Sequence, residues 1–196
     1  KNADWLLPYA AFMSLRDYFD GAPWNEWPEE FRHYDRDVLE DPRFIEGARF
    51  HMFSQFRFMC EWQDLRSYAR ARGVEIIGDV PMYVSADSVD AWAHPELFNV
   101  DADGEPTEVA GTPPDAFAAQ GQVWGNPTYR WDEHKRTGYA WWIARMRRVK
   151  ELYDWTRMDH FLGFESYYAI PNGKPAGEGR WIPGPGADLF RAAYAK

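Results

Sequence analysis

Two short stretches decide the fold class of this chain: VEIIGDVP at residues 74–81 and WTRMDHF at residues 155–161. Each follows a segment with helical periodicity. Each also carries polar residues near its carboxyl end, Asp79 in the first stretch and Asp159 with His160 in the second. Strands that alternate with helices indicate a parallel sheet with covering helices. The sequence therefore predicts an α/β fold whose polar residues lie at the strand ends, where (β/α) barrels carry their chemistry.

Three segments around these stretches are expected to be helices. The first runs from Asp4 to about Phe19, the second from Pro42 to Arg72 and the third from Tyr139 to Tyr153. Gly73 follows the second helix, as is typical of a residue just beyond a helix end. The second helix has the strongest apolar pattern and is predicted to bury a stripe formed by Phe50, Phe53, Phe56, Phe58, Cys60, Trp62, Leu65 and Ala69.

Residues 85–138 form a long excursion between the two predicted strands. Pro, Gly, Asp and Asn recur in it, and its apolar runs are brief. A loop of that length within a compact domain is usually functional. We expect an insertion or loop subdomain within a single domain over residues 1–196. The stretch 171–186 is again rich in Gly and Pro.

Composition narrows the class of partner. The 196 residues include 22 basic and 31 acidic side chains, and this net charge of −9 repels phosphate backbones and anionic lipids. We therefore expect neither nucleic acid nor a membrane as a partner. Aromatic residues make up 18% of the chain and include 11 tryptophans, which favours carbohydrate binding, with an aromatic-rich core as the alternative. The single Cys60 predicts a reducing compartment, the cytoplasm, and the five histidines lack metal-ligand spacing.

Arg157 and Asp159 form the strongest candidate for chemistry. Alternate residues on a strand share a face, so the two side chains are expected to point the same way. A guanidinium next to a carboxylate favours its ionised form. An ionised carboxylate is the nucleophile of a retaining glycosidase or transglycosidase. The alternative is a buried ion pair with only a structural role.

Motifs along nearly the whole chain resemble the amylomaltases of glycoside hydrolase family 77. The segment TRMDHFLGFE at 156–165 resembles the one that holds the catalytic aspartate of that family. Further matches are the sequences PWNEWP at 23–28, GDVPMYV at 78–84, DS at 87–88, WAHP at 92–95, AGTPPD at 110–115, GQVWGNPTY at 121–129 and EGRW at 178–181.

The resemblance implies roles for individual residues. Asp159 matches the nucleophile, Arg157 the arginine that orients it and His160 a residue beside the reacting glucose. Asp79 matches an acidic residue that supports the site or bonds substrate. Further substrate-binding positions implied are Asp115, Phe117, Gln122, Trp124, Gly125, Asn126 and Pro127, of which the last four form an acceptor-side wall. Phe117 matches a mobile loop, but Ala116 stands where many members have tyrosine.

The resemblance also implies the activity. It is the cofactor-free, metal-free transfer of α-1,4-glucan segments from maltooligosaccharides to glucose or another glucan, by a retaining double displacement. The fold implied is part of a (β/α)₈ barrel with a long insertion after one strand. The acid/base glutamate of the family is expected beyond Lys196, so these residues alone are expected to be an inactive fragment. The alternatives are a hydrolase of the α-amylase clan and a non-catalytic glucan-binding module.

Overall fold

The computed structural model describes residues 2–196 and divides into two compact units. The first comprises the residues before Glu75 together with Asp87–His94, and the second comprises Glu75–Ala86 together with Pro95–Lys196. The helices are α1 Ala3–Tyr18, α2 Ile45–Arg70, α3 Val89–Ala93, α4 Trp131–Arg136, α5 Ala140–Leu152 and α6 Ala187–Tyr194. The strands are β1 Ile77–Val80, β2 Glu108–Thr112, β3 Gln122–Pro127, β4 Trp155–Met158, β5 Ser166–Pro171 and β6 Arg180–Pro183. The predicted α/β class is confirmed.

The first unit is built on α1, α2 and an aromatic core. The rings of Phe12 and Trp27 pack against Trp92, which is fully buried and donates its indole N–H to the Phe31 carbonyl over 2.8 Å. Ser88 begins α3 and accepts the Ala91 N–H with its hydroxyl. The hydrogen bond to the Phe31 carbonyl gives the buried Trp92 indole a polar partner, as buried polar groups require.

Helix α2 confirms the predicted helix but not its predicted buried face. Ala48 is its only buried residue. Its contacts with α1 include polar pairs instead, His51 with Asp17 at 2.7 Å and the Gln55 amide with the Tyr9 hydroxyl at 3.3 Å. The prediction of a buried stripe was therefore wrong, because periodicity locates a helix without identifying which face has a neighbour. The following apolar residues are more than half exposed: Phe50, Phe53, Phe56, Phe58 and Leu65.

Strands β1 and β4 form a two-stranded parallel sheet, as the sequence predicts. Ile77 lies opposite Trp155, and Asp79 lies opposite Arg157. Burial alternates along β1: Gly78 and Val80 are buried, whereas Ile77 and Asp79 are exposed. Gly78 is required here because a side chain would overlap the Tyr153 ring. One face of this sheet therefore packs against other residues of the unit, and the opposite face, which carries Ile77 and Asp79, is exposed to solvent.

A second sheet, which the sequence did not predict, has the antiparallel order β3-β2-β5-β6. The residues of the excursion were expected to be mostly loop, but they contain α3, α4, β2 and β3. That loop assignment was wrong because Gly111, Gly125 and Pro127 interrupt the strand pattern in the sequence. Whether residues 85–138 form an insertion stays a prediction.

The remaining helices of the second unit pack through aromatic residues. Trp142 of α5 is fully buried and meets the Phe164 ring edge-on, while Phe190 of α6 contacts Phe164 from another side. The predicted third helix is thereby confirmed as α5. In residues 2–196, no helix is long and apolar enough to cross a membrane.

Candidate active site

Three charged side chains meet where β1 and β4 end. Arg157 Nη1 donates to Asp79 Oδ2 over 2.6 Å, and its Nη2 donates to Asp159 Oδ1. The side chains of Arg157, Asp79 and Asp159 are 60%, 58% and 50% exposed. The hydrogen bond to Asp79 and the charge of Asp159 raise the pKa of the Arg157 guanidinium. One cation therefore fixes two carboxylates that a ligand can still reach.

Asp159 is held by its backbone as well. Its N–H donates to the Val80 carbonyl over 2.9 Å, which extends the pairing of the two strands by one residue. The strand ends at Met158, so the predicted extension to Phe161 was wrong. His160 has a left-handed backbone, with φ of 49°, and begins a short 3₁₀ helix at Phe161–Phe164. This turn fixes the direction in which the chain leaves the strand.

The His160 ring lies in an aromatic setting next to Asp159. Its centroid is 5.0 Å from that of Trp124, which it meets edge-on, and 6.1 Å from that of Tyr83. Burial lowers the pKa of His160, and the charge of Asp159 opposes that shift. Within the described residues, Nε2 of His160 is buried and has no hydrogen-bond partner. An imidazole nitrogen without a partner can accept a hydrogen bond when it carries no proton and donate one when it does, so this ring has unused hydrogen-bonding capacity.

Strand β3 supplies the wall beside this ring. Trp124 is partly exposed, and its indole N–H donates to Gln122 Oε1 over 2.9 Å. Gly125 has φ of +79°, a conformation that favours glycine. The Asn126 amide donates to the Val84 carbonyl over 2.8 Å, and Pro127 is buried. The polar groups of this segment thus fix the wall and the segment after β1.

The loop between β2 and β3 holds the other two predicted positions. Phe117 is fully exposed. Asp115 Oδ1 accepts the N–H groups of Phe117 and Ala118 over 2.8 and 2.7 Å, so this carboxylate shapes its own loop. In the described part of the chain, the hydrogen bonds of Asp115 stay within residues 115–118. The structure therefore does not bring these two residues against Asp159.

Three residues near the site were not predicted as site residues: Tyr83, Tyr129 and Arg145. Tyr83 is 7% exposed and stacks on Tyr129 at 5.8 Å, and burial strongly raises its pKa. Arg145 of α5 donates to the carbonyls of the segment that follows β1. Tyr83 lies in the same motif as Asp79, so proximity in sequence could have indicated it. Arg145 had no such signal, because its contacts depend on tertiary packing.

The geometry suits sugar chemistry. A carboxylate fixed by a guanidinium can attack an electrophilic carbon, and partly exposed aromatic faces bind the apolar faces of sugars. Among the residues described, no group of three or more His, Cys, Asp or Glu side chains could hold a metal ion. The residues brought together by contacts are Asp79, Arg157, Asp159, His160 and Trp124.

Comparisons with known proteins match this chain to enzymes that act on glucans. The family model for glycoside hydrolase family 77, described as 4-alpha-glucanotransferase, matches residues 1–196. The 4-alpha-glucanotransferase of Thermus thermophilus is 46% identical over 194 residues, covering 97% of this chain and 39% of the relative. That of Aquifex aeolicus is 45% identical over 196 residues, covering 97% and 40%. The chain thus spans about two-fifths of the length of these relatives.

A solved structure agrees with the sequence comparisons. Amylomaltase from Streptococcus agalactiae in complex with acarbose is 38% identical, with a TM-score of 0.92, and the match covers 99% of this chain and 40% of that one. Amylomaltase from Corynebacterium glutamicum is 21% identical, with a TM-score of 0.75, which supports the fold alone. The charged cluster at the ends of β1 and β4, and strand β3 beside it, agree with this match over the full sequence. The chain belongs to glycoside hydrolase family 77, the 4-alpha-glucanotransferases.

Proposed function

We propose that this chain is the nucleophile-bearing part of a 4-α-glucanotransferase that transfers α-1,4-glucan segments to glucose or another glucan. The observation that carries the proposal is the Arg157 guanidinium between Asp79 and Asp159, at the exit of two parallel strands. The half-exposed Asp159 carboxylate can be reached by an anomeric carbon. Family membership supplies the substrate class, and acarbose in the related amylomaltase supports a saccharide ligand.

The proposed mechanism is a double displacement. Asp159 attacks the anomeric carbon, the bond to the leaving oxygen breaks as that oxygen takes a proton from the acid/base carboxyl group, and a covalent glucosyl-enzyme forms with inversion. A hydroxyl of the acceptor sugar then gives its proton to the acid/base carboxylate and attacks the same carbon, which releases Asp159 and restores the original configuration. Arg157 orients this carboxylate by donating a hydrogen bond to its Oδ1. Asp79 shares that guanidinium, which suits a supporting or substrate-bonding role.

His160 and β3 are assigned to substrate placement. The buried Nε2 of His160 has no hydrogen-bond partner within the described residues and would gain one from a sugar hydroxyl once the ring turns toward the substrate, and Trp124 next to it offers an apolar face. An acceptor sugar held on such a wall competes with water for the intermediate, because orientation supplies much of the rate. This favours transfer over hydrolysis. The mobile loop with Asp115 and Phe117 is proposed to contact substrate only after it moves, as neither contacts the site in this structure.

The fold proposed for the complete enzyme is a (β/α)₈ barrel in which β1 and β4 are neighbouring strands. The parallel register of the two strands supports this. So does their open face, where Ile77 is 70% and Trp155 60% exposed, because further strands of a barrel would cover these residues. The charged residues then lie at the carboxyl ends of the strands, on the catalytic side of such barrels.

The acid/base carboxylate is proposed to come from outside residues 1–196. The relatives are more than twice as long as this chain, which leaves room for such a residue. Residues 1–196 alone are therefore expected to transfer no glucan. A cytoplasmic location is proposed from the free Cys60 thiol, which is typical of a reducing compartment.

Replacing the nucleophile tests the proposal. In the full-length protein, Asp159→Asn is expected to lower disproportionation of maltotriose by about 10⁴-fold or more, since the amide cannot form the glycosyl ester. Product analysis with and without added glucose distinguishes transfer from hydrolysis. Asp188→Asn, which removes an exposed carboxylate on α6, is the matched control and should leave the activity intact.

The opposite results would overturn the assignment. Activity of Asp159→Asn close to that of the wild type would favour a non-catalytic glucan-binding module or a different nucleophile. Products that consist of free glucose and shorter glucans, with no response to added acceptor, would identify a hydrolase.

A further inference from the structure

The segment from Val80, the last residue of β1, to Val84 is held in place through hydrogen bonds to its carbonyl groups. Val80 O accepts the Asp159 N–H over 2.9 Å, and Val84 O accepts the Asn126 amide over 2.8 Å. Between them, the carbonyls of Pro81 and Met82 accept hydrogen bonds from other elements. Four carbonyls in five residues thus bond to groups distant in sequence. Residues 81–84, which belong to no helix or strand, are fixed in this way.

Arg145 of α5 provides two of these bonds. Its Nη2 donates to Pro81 O over 2.7 Å, and its Nη1 donates to Met82 O over 3.0 Å. Its guanidinium also lies over the rings of Trp141 and Trp142, at 5.4 and 4.9 Å from their centroids. Among the residues described, no carboxylate forms an ion pair with Arg145. The charge therefore serves two backbone carbonyls instead of a surface ion pair.

Tyr129 provides a second donor to the same place. Its hydroxyl donates to Met82 O over 2.6 Å, so that this carbonyl receives both Tyr129 and Arg145. The Tyr129 ring is almost fully buried and stacks on Tyr83, the next residue of the segment. The Met82 carbonyl thus accepts hydrogen bonds from a buried hydroxyl and from one arm of a guanidinium whose other arm holds Pro81. These bonds leave the Met82 backbone little freedom.

Three contacts link this segment to Asp159 and His160. The Asp159 amide is bonded to Val80 O, one residue before Pro81. Met82 packs so closely on Gly163 that a side chain at 163 would overlap the Met82 sulfur and the His160 ring. Tyr83 in turn contacts the His160 ring. A shift of residues 81–83 would therefore move the backbone partner of Asp159 and the packing of His160 together.

From these contacts we propose that Arg145, together with Tyr129, is a positioning residue for the transfer reaction: it clamps Pro81 and Met82 and so sets Asp159 and His160. This rests on the proposed function. Neither residue needs to touch the sugar. A displacement of the order of 1 Å in a catalytic group can cost about 10²-fold in rate, so the clamp acts on the chemical step more than on binding.

The test uses the full-length protein with Arg145→Met, which keeps an apolar stem against the Trp rings but removes the donors. An α-maltotriosyl fluoride donor reports formation of the glucosyl-enzyme without demanding strong acid assistance. We expect kcat for this donor to fall by about 10–100-fold, with KM changed much less. Arg145→Lys, which can serve one carbonyl but not as a planar fork, should recover part of the loss. Arg148→Met, on the same helix and paired with Glu151, is the matched control and should retain kcat.

A purely structural role predicts a different pattern. The melting temperature would fall, while kcat of the folded Arg145→Met protein stayed at the wild-type value, and that result would overturn the proposal. If Arg145→Met does not fold, Tyr129→Phe decides, because it removes one hydroxyl and keeps the ring. A several-fold loss of kcat in Tyr129→Phe supports the clamp, and an unchanged kcat contradicts it.

Hydrogen exchange separates this proposal from the proposed function. In Arg145→Met, peptides that contain residues 80–84 and the Asp159 amide should exchange faster than in the wild type, whatever the reaction catalysed. Faster exchange in a protein that transfers no glucan would leave the clamp standing and reject the function. Unchanged exchange and unchanged kcat in an active transferase would reject the clamp alone.

Discussion

The two sheets of the second unit each carry an arginine that pairs with a carboxylate on another strand, and the two pairs differ in burial. Arg157 and Arg180 are both 60% exposed. Asp79 and Asp159, the partners of Arg157, are half exposed or more, whereas Glu108, the partner of Arg180, is only 13% exposed. Glu108 also accepts hydrogen bonds from Thr128 and Asn99, at 2.7 and 3.2 Å.

The difference distinguishes the carboxylate proposed as the nucleophile from one with a structural role. The oxygens of Glu108 are occupied by three donors and screened from solvent, so Glu108 ties strands and loops together. The carboxylates beside Arg157 are bonded on one side and open on the other. Arg157 lies two residues from Asp159 in sequence, whereas Arg180 lies 72 residues from Glu108, and the two pairs differ in burial and in the number of donors.

The largest expected effect comes from breaking the open pair. Arg157→Met in the full-length protein should lower kcat/KM for maltooligosaccharide transfer by about 10²–10³-fold, because it removes the charge that orients Asp159. The variant must remain folded for this loss of rate to report on the site. The assay is initial-rate disproportionation with a thermal melt.

The control for that prediction is Arg180→Met, which has the same exposure and the same substitution in the other sheet. Its turnover should remain near the wild-type value. Equal losses of activity in Arg157→Met and Arg180→Met would contradict the distinction between the two sheets.

The next effect comes from breaking the buried pair. Glu108→Ala should lower the free energy of unfolding by about 1–3 kcal/mol, because the Thr128 hydroxyl loses its carboxylate acceptor and the Asn99 amide keeps only Thr128 Oγ1 and the Tyr129 carbonyl. The turnover of the folded enzyme should stay close to that of the wild type. Chemical denaturation measures the first quantity, and active-site-normalised kinetics measures the second. Glu108→Gln keeps one acceptor oxygen and should lose less, and a drop in turnover without a loss of stability would reverse the assignment.

The smallest expected effect sharpens the comparison within the four-stranded sheet. Trp124→Leu should raise the KM for glucose as acceptor by about fivefold, roughly 1 kcal/mol of lost aromatic contact. Trp181 pairs in register with Tyr168, which pairs with Gly111 and so with Val123, and Trp124 therefore lies on the opposite face. Trp181→Leu is the control of comparable size and exposure. If it raised the acceptor KM by as much as Trp124→Leu, the acceptor wall would be wrongly placed.

The sequence predicts the two-stranded sheet and its charged residues well, because the signals are local. Apolar runs that end in Asp79 and Asp159 identify the strands, and alternation places Arg157 beside Asp159. The four-stranded sheet was missed, since Gly111 and Gly125 break the strand pattern while cross-strand pairing supplies the order. The exposed face of α2 could not be predicted, because burial of a helix depends on its neighbour.

Within the site, the residues proposed to touch the ligand are easier to predict than those that hold them. Trp124 and His160 belong to distinctive motifs, whereas Arg145 is one of several arginines on α5. Its role depends on the carbonyls of Pro81 and Met82, more than sixty residues away in sequence. Side chain to backbone contacts of this kind leave no mark on periodicity or composition.

The left-handed backbone of His160 has a consequence for how neighbouring residues share work. In a continuing strand, positions 159 and 160 would project to opposite sides of the sheet. The change in the sign of φ ends that alternation, so two consecutive side chains can meet the same sugar ring. Only a few residue types tolerate this conformation, and a β-branched side chain there would be disfavoured by its backbone before any loss of imidazole chemistry. The position is thus restricted by its backbone geometry, independently of the role proposed for the imidazole.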